Sequence, residues 1–172
     1  MTNMTNNKIR GFEKVSEQQW MNTIENDVSN EEWLQQYIDL NLPKRGTSKS
    51  AGYDVFAPYT FTLQPDDVIK IPTGIKSYMQ NDEVLKAFPR SSLGFKYFLR
   101  FANSIPVIDS DYFNNENNEG HIFIKLRNEG SKPLTINKGD GMCQVIFEKY
   151  LLADGDSFDG EVRKGGIGST DK

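Results

Sequence analysis

The chain has 172 residues, which predicts a single domain, and a net charge of −4 from 20 Lys and Arg against 24 Asp and Glu. This acidic balance argues against a general nucleic-acid-binding protein, and no apolar run approaches the length that a membrane-spanning helix needs. The single cysteine, Cys143, and the single histidine, His121, exclude an internal disulfide framework and a His/Cys metal cage, so we expect a reducing, cytoplasmic location.

A short strand at 8–12 is predicted first, followed by two short amphipathic helices. Two capping-box patterns, Ser-Glu-Gln-Gln and Ser-Asn-Glu-Glu, each precede apolar residues at helical spacing, and both tryptophans of the chain lie there. These patterns predict helices at 17–28 and 31–40. The resulting helical hairpin, about residues 16–41, is expected either to pack on the main domain or to offer a docking surface to another protein.

From residue 51 onward, short β-rich segments alternate with turn-forming segments. The candidate strands are 53–57, 60–63, 68–71, 75–78, 84–88, 121–126, 134–136 and 142–147. Many short strands with regular turn signals indicate an all-β sandwich, jelly roll or barrel rather than an α/β sheet. The Gly-rich end, 163–172, is predicted to be a flexible arm behind a single domain of residues 1–162.

Four segments carry polar groups that have both an ordinary and a functional interpretation. Asp-Ser-Asp-Tyr at 109–112 follows an apolar strand, where acids are usually solvated turn residues. Arg-Ser-Ser at 90–92 is either an ordinary loop or a phosphate-binding segment, in which the guanidinium and the two hydroxyls donate to a phosphate chain. Asp54, beside a glycine, is a weak signal by itself. The cations, glycines and hydroxyls of 163–170 form a disordered tail or an arm that closes over an anion.

Taken in order, five segments closely resemble the five motifs of the trimeric dUTPase family. They are Ala-Gly-Tyr-Asp-Val at 51–55, Pro-Arg-Ser-Ser at 89–92, Val-Ile-Asp-Ser-Asp-Tyr at 107–112, Gly-Asp-Gly-Met-Cys-Gln at 139–144 and Gly-Gly-Ile-Gly-Ser-Thr at 165–170. Asn-Glu-Gly-His-Ile-Phe at 118–123 is similar to the dUTPases of Gram-positive bacteria and their phages. The resemblance covers about 8–13 and 43–170 and leaves the helical hairpin as an insertion.

The resemblance implies an all-β fold, the dUTPase-like jelly roll or β-clip, and a homotrimer whose active sites are shared between subunits. It implies hydrolysis of dUTP to dUMP and pyrophosphate with Mg²⁺ as cofactor. Asp109 would be the general base that orients water towards the α-phosphorus, a role that needs placement rather than an unusual pKa. Asp54 would contact the metal through water, because Mg²⁺ keeps most of its waters and prefers phosphate oxygens.

The same resemblance assigns the substrate contacts. Asn103 would read uracil, and Tyr112 would pack against deoxyribose and leave no room for a 2′-hydroxyl. The remaining substrate-binding residues would be Arg90, Ser91, Ser92 and Gln144 in the domain and Arg163, Ile167, Gly168, Ser169 and Thr170 in the arm.

Three positions depart from the family pattern. Ile167 stands where the family usually has an aromatic residue, so the arm would cover uracil without stacking on it. Gly141 replaces a common arginine, which predicts one supporting cation fewer. Pro106 replaces a glycine before the third motif and changes the expected geometry of that hairpin.

Two alternatives remain open at this stage. The dCTP deaminases share the fold and have similar sequence motifs. They carry a glutamate, which moves protons at the pyrimidine ring, where this chain has Lys125, and a protonated lysine is a poor substitute for that base. The other alternative is a phage-type dUTPase that also binds a repressor, with the helical hairpin as the candidate surface.

Overall fold

The computed structural model describes residues 8–23 and 29–157. Within them, the strands are β1 (Gly11–Lys14), β2 (Lys44–Arg45), β3 (Tyr53–Phe56), β4 (Phe61–Leu63), β5 (Val68–Pro72), β6 (Ile75–Tyr78), β7 (Glu83–Pro89), β8 (Leu99–Phe101), β9 (Val107–Asp109), β10 (Phe123–Asn128), β11 (Leu134–Ile136) and β12 (Gly141–Lys149). The helices are α1 (Glu17–Met21), α2 (Asn30–Asp39) and α3 (Ser91–Tyr97), and a single 3₁₀ turn spans Ser110–Tyr112. Short strands dominate this part of the chain, as the sequence predicts.

The strands pair antiparallel in small sheets. The largest has the order β2-β3-β12-β7-β9, and a second has the order β5-β10-β8; β1 pairs with β6, and β4 pairs with β11. Antiparallel strands with one buried face alternate apolar and polar residues, and β10 shows this clearly. Its Ile124 and Leu126 are fully buried, whereas Lys125 and Arg127 point to solvent. The buried faces enclose one apolar core.

The two helices of the hairpin pack on the β-domain. Ser16 and Ser29 are the N-caps, and each hydroxyl accepts from the amide three residues on, as the capping boxes predict. Trp20, which is completely buried, forms a small separate core with Val15 and Leu40. This packing supports the hairpin as a fixed part of the described structure.

The predicted bounds of the first helix are wrong. It ends at Met21 rather than continuing to 28, because the chain turns at the C-cap Asn22; residues 24–28 lie outside the described part. The second helix differs from its prediction by only one residue at each end.

A third helix occupies a segment that the sequence predicts as a turn. Ser91–Tyr97 forms two turns of helix, and Phe98, with φ of +53°, ends it in the left-handed region. Within the described residues, no helix has the length and apolar character needed to cross a membrane.

Candidate functional site

A cleft of about 350 Å³ opens where three neighbouring strands of the large sheet meet the start of α3. On β12, Gln144 pairs with Asp54 of β3 on one side and with Phe88 of β7 on the other. The register therefore brings the first, second and fourth sequence motifs together. The residues lining the cleft are Gly46, Ser50, Gly52, Asp54, Arg90, Ser91, Ser92 and Gln144.

Arg90 is held in place from two sides. Its Nε lies 3.2 Å from Oδ1 of Asp54, and its Nη1 donates to the carbonyl oxygen of Gly141 at 3.1 Å. A Cβ at residue 141 would lie 2.6 Å from Nη1 and 3.0 Å from Cζ of Arg90, closer than ordinary contact. Gly141 therefore leaves the space that the Arg90 side chain occupies.

Gln144 is positioned in a similar way. Its Nε2 donates to the carbonyl oxygen of Pro89 at 3.3 Å, and a Cβ at Gly52 would lie 2.5 Å from its Oε1. The amide is thus held against the end of β7, beside the hydroxyls of Ser91 and Ser92.

The first turn of α3 lines the same cleft. Arg90 is the N-cap but makes no side-chain capping bond, while Ser91 and Ser92 are exposed. Backbone amides of a first helical turn, hydroxyls and a guanidinium are the donors that bind phosphate oxygens. This end of the sheet is therefore equipped to hold an anionic chain.

Two lining residues, Gly46 and Ser50, are absent from the sequence predictions. They belong to the loop between β2 and β3, where Oγ of Ser50 lies 2.8 Å from Oγ1 of Thr47. The signal that points to them is the hydroxyl-rich run Thr-Ser-Lys-Ser at 47–50, which directly precedes the first motif.

Asp109 lies at the opposite end of β7. It is the last residue of β9 and pairs with Val84, near the beginning of β7, whereas Arg90 follows the end of that strand. Pro89 lies five positions after Val84, which corresponds to about 17 Å at the rise of an extended strand. One protomer therefore does not bring Asp109 to the Arg90 cleft.

Tyr112 ends the 3₁₀ turn that directly follows Asp109, whereas Asn103 lies before β9, which runs antiparallel to β7 with Val107 opposite Lys86 and Asp109 opposite Val84. Asn103 is exposed in the turn between β8 and β9. Tyr112 is only 7% exposed, and its hydroxyl donates to the carbonyl oxygen of His121 at 2.9 Å. The contacts of these two residues with uracil and sugar stay predictions, as does the role of Asp109.

The remaining reactive groups belong to the core. His121 is fully buried, and burial lowers its pKa to about 4. Its Nε2 accepts from the amide of Gly74 at 2.8 Å, which requires the neutral ring. Burial raises the pKa of the Cys143 thiol. Across residues 8–23 and 29–157, no group of three His, Cys, Asp or Glu side chains forms a metal site.

Five predicted substrate-binding residues lie outside the described residues. They are Arg163, Ile167, Gly168, Ser169 and Thr170. The predicted flexible arm, 163–172, also lies outside the described residues and stays a prediction.

Comparison with known proteins identifies the relatives of this chain. The dUTPase family model matches residues 39–170 and so begins at the last residue of α2. The deoxyuridine 5′-triphosphate nucleotidohydrolase of Lactococcus lactis is 42% identical over 164 residues, which covers 95% of this chain and 98% of the relative. The crystal structure of dUTPase from Streptococcus mutans matches with a TM-score of 0.63 and 38% identity over 84% of this chain and 99% of that one.

A more distant structure shares the fold. It is a mutant dUTPase from phage phi11 of S. aureus that shows the coordination of a structural Mg(II) ion; it matches with a TM-score of 0.58 and 19% identity over 71% of this chain and 92% of that one. Together with the Streptococcus structure, it confirms the dUTPase-like fold that the sequence predicts.

Proposed function

The chain belongs to the dUTPase family, and we propose how its own residues carry out the hydrolysis of dUTP to dUMP and pyrophosphate. The observation that carries the proposal is the cleft at the end of β7. Arg90, Ser91, Ser92 and Gln144 present cationic, hydroxyl and amide donors there, and the two glycine positions beside them leave no side chain in the way. A triphosphate chain needs such a set of donors.

In the proposed reaction, Asp109 holds and deprotonates the attacking water. This task requires a carboxylate oxygen within hydrogen-bond reach of the water. Arg90 and Ser91 face the bridging and non-bridging oxygens, where negative charge develops as the pyrophosphate leaves. The leaving group departs in line with the incoming water, so the phosphate donors and the base must lie on opposite sides of the α-phosphorus.

The residues of the cleft fit a Mg²⁺ ion that is bound mainly through substrate. Asp54 is the one carboxylate among the described lining residues, and one of its oxygens is engaged by Arg90. A single carboxylate acting through water, with the substrate phosphates, suits an ion that is reluctant to lose its waters. When bound, Mg²⁺ neutralises charge on the phosphate oxygens. This chain's contribution is to hold Asp54 and Arg90 at a fixed separation.

The separation of Asp109 from the cleft supports an active site that is shared between copies of the chain. About 17 Å along β7 is too far for one base and one set of phosphate donors to act on the same phosphorus. We propose a homotrimer in which the Arg90 cleft of one subunit faces Asp109, Asn103 and Tyr112 of another. Light scattering should give a mass near three times 19.6 kDa.

The competing functions receive different support. The family match and the dUTP-hydrolysing relatives favour the dUTPase over a dCTP deaminase, and Lys125 lies exposed on β10. The regulatory role at the helical hairpin stays a prediction; the exposed Leu34 and Ile38 of α2 are the side chains through which a protein partner would bind. A nucleotide substrate agrees with the predicted cytoplasmic location.

The test is pyrophosphate release by the wild-type protein from dUTP, dCTP, dTTP and UTP in the presence of Mg²⁺. The proposal predicts rapid release from dUTP and values of kcat/KM for the other three that are lower by at least two orders of magnitude. Ammonia release from dCTP would favour the deaminase instead. A protein that binds dUTP without hydrolysing it would contradict the assignment.

A further inference from the structure

The loop that follows the third motif encloses Tyr112. Residues 113–121 leave the 3₁₀ turn and fold back, so that Asn114 N donates to Glu119 O at 3.0 Å and His121 N donates to Asn118 O at 2.8 Å. Gly120, with φ of +80°, brings its backbone so close that a Cβ there would lie 2.5 Å from the Tyr112 carbonyl oxygen. Only glycine fits this approach.

Two asparagines of the loop hold Tyr112 at both of its ends. Nδ2 of Asn118 donates to the Tyr112 hydroxyl at 2.9 Å, and that hydroxyl donates in turn to the carbonyl oxygen of His121 at 2.9 Å. Nδ2 of Asn115 donates to the Tyr112 carbonyl oxygen at 2.9 Å and to Oδ1 of Asn118 at 2.7 Å. Tyr112 is therefore fixed at its backbone carbonyl and at its hydroxyl.

The loop is itself fastened to the helical hairpin. The Glu119 carboxylate accepts from the amide of Ser16, the N-cap of α1, at 2.9 Å, and also from the Ser16 hydroxyl. Nζ of Lys76 lies 3.5 Å from the same carboxylate and donates to Oδ1 of Asn114 at 2.7 Å. These bonds tie both sides of the loop to elements that are already packed.

A fixed ring matters because a side chain can exclude the 2′-hydroxyl of a ribonucleotide only if it does not move aside. Apolar pockets discriminate poorly against an analogue that merely adds a hydroxyl, because small shifts of the wall make room for it. A wall held by hydrogen bonds at both ends resists such shifts.

We infer that Asn118, supported by Asn115, is a positioning residue that sets the preference of this enzyme for deoxyribose over ribose by fixing the ring of Tyr112. The inference rests on the proposed function, in which Tyr112 lies against the sugar. Asn118 touches neither substrate nor reacting atoms and acts only through Tyr112.

The test compares kcat/KM for dUTP and for UTP in three variants and a control. Tyr112→Phe removes the anchored hydroxyl, Asn118→Ala removes its donor, and the double variant removes both. Losing a hydrogen bond of this kind should lower the dUTP/UTP ratio by about three- to tenfold, through a rise in kcat/KM for UTP. Asn117→Ala, whose side chain takes no part in this network, should keep the ratio.

Coupling between the two residues separates positioning from a merely structural role. If Asn118 acts through the Tyr112 hydroxyl, the double variant is no worse than the worse single variant. Asn118→Asp keeps the size of the side chain but lacks the donor to the Tyr112 hydroxyl, whose single proton goes to the His121 carbonyl oxygen, so it should lower the ratio as Asn118→Ala does. Should Asn118→Ala fail to fold, Tyr112→Phe and Asn118→Asp still decide the question.

Two outcomes would overturn the inference: ratios within twofold of the wild type, or equal losses with dUTP and UTP. The wild-type protein keeps this test separate from the proposed function. If it does not hydrolyse dUTP, the proposed function fails; if it does and the variants keep its preference, only the role of Asn118 fails.

Discussion

Gly141→Ala tests whether the lack of a side chain at residue 141 leaves room for Arg90, the guanidinium that we propose binds phosphate. The added Cβ would lie 2.6 Å from Nη1, 3.0 Å from Cζ and 3.2 Å from Cδ of Arg90, where ordinary contacts are about 3.4–4 Å. Arg90 is a flexible side chain and moves before the backbone does. It therefore loses its 3.1 Å bond to the Gly141 carbonyl and shifts relative to Asp54.

The expected size of the effect follows from that one bond. A hydrogen bond from a charged donor contributes about 1.5–3 kcal/mol, and the partial exposure of Arg90 places this one at the lower limit. A loss of about 1.5 kcal/mol corresponds to roughly a tenfold fall in kcat/KM for dUTP. The melting temperature should change little, because no core contact is lost.

Steady-state kinetics and thermal unfolding of the same preparation measure both quantities. Gly94→Ala is the matched control, since a Cβ at this α3 position meets nothing within 4 Å and alanine suits a helix better than glycine. It should keep kcat/KM. If Gly141→Ala retained kcat/KM within twofold of the wild type, the account of Arg90 positioning would be refuted.

The remaining predictions concern the base, the hairpin and one buried ring. Asp109→Asn should lower kcat by about 10²–10⁴ while dUTP still binds, and a kcat within tenfold of the wild type would exclude the base role. Trp20→Ala should lower the free energy of unfolding, measured by denaturant titration, by about 3–5 kcal/mol, because the side chain is fully buried. Met21 is partly exposed, so Met21→Ala should have a small effect. Equal effects of the two substitutions would contradict the packing of Trp20 in the hairpin core. Burial lowers the pKa of His121 to about 4 from an ordinary 6.5, so between these values the unfolded chain binds a proton that the folded chain does not. The free energy of unfolding should therefore fall with falling pH by about 3 kcal/mol across this window, and His121→Gln should lack that part of the slope; identical slopes would contradict it.

The sequence predicts best those elements whose signal is local. The N-caps Ser16 and Ser29 and strands such as β6 and β11 appear where hydrophobic alternation, capping residues and turn residues indicate them. The helix α3 does not, because Ser-Ser-Leu-Gly is typical of a turn and the helix forms only between β7 and the left-handed Phe98. The two-residue strand β2 is too short for any periodicity and exists through its pairing with β3.

Most residues of the cleft are predictable from the sequence, whereas Gly46, Ser50 and the geometry of the cleft are not. The order of the motifs identifies Arg90, Asp54 and Gln144, yet only the register of β3, β12 and β7 shows that they share one cleft. The space that Gly141 leaves for Arg90 depends on a contact between residues 51 positions apart along the chain, which no local pattern indicates. The same long-range pairing places Asp109 far from the cleft.

Complementation between two inactive variants tests the central claim most directly, because it asks whether one active site draws on two chains. Arg90→Ala lacks the guanidinium that we propose binds phosphate, and Asp109→Asn lacks the proposed base. In the proposed trimer, assembled from equal amounts of both variants, about a quarter of the shared sites would combine an intact Arg90 from one chain with an intact Asp109 from another. The account predicts that the mixture regains about a quarter of the wild-type rate of pyrophosphate release from dUTP. A mixture no more active than its two parents, despite confirmed mixed assembly, would contradict it.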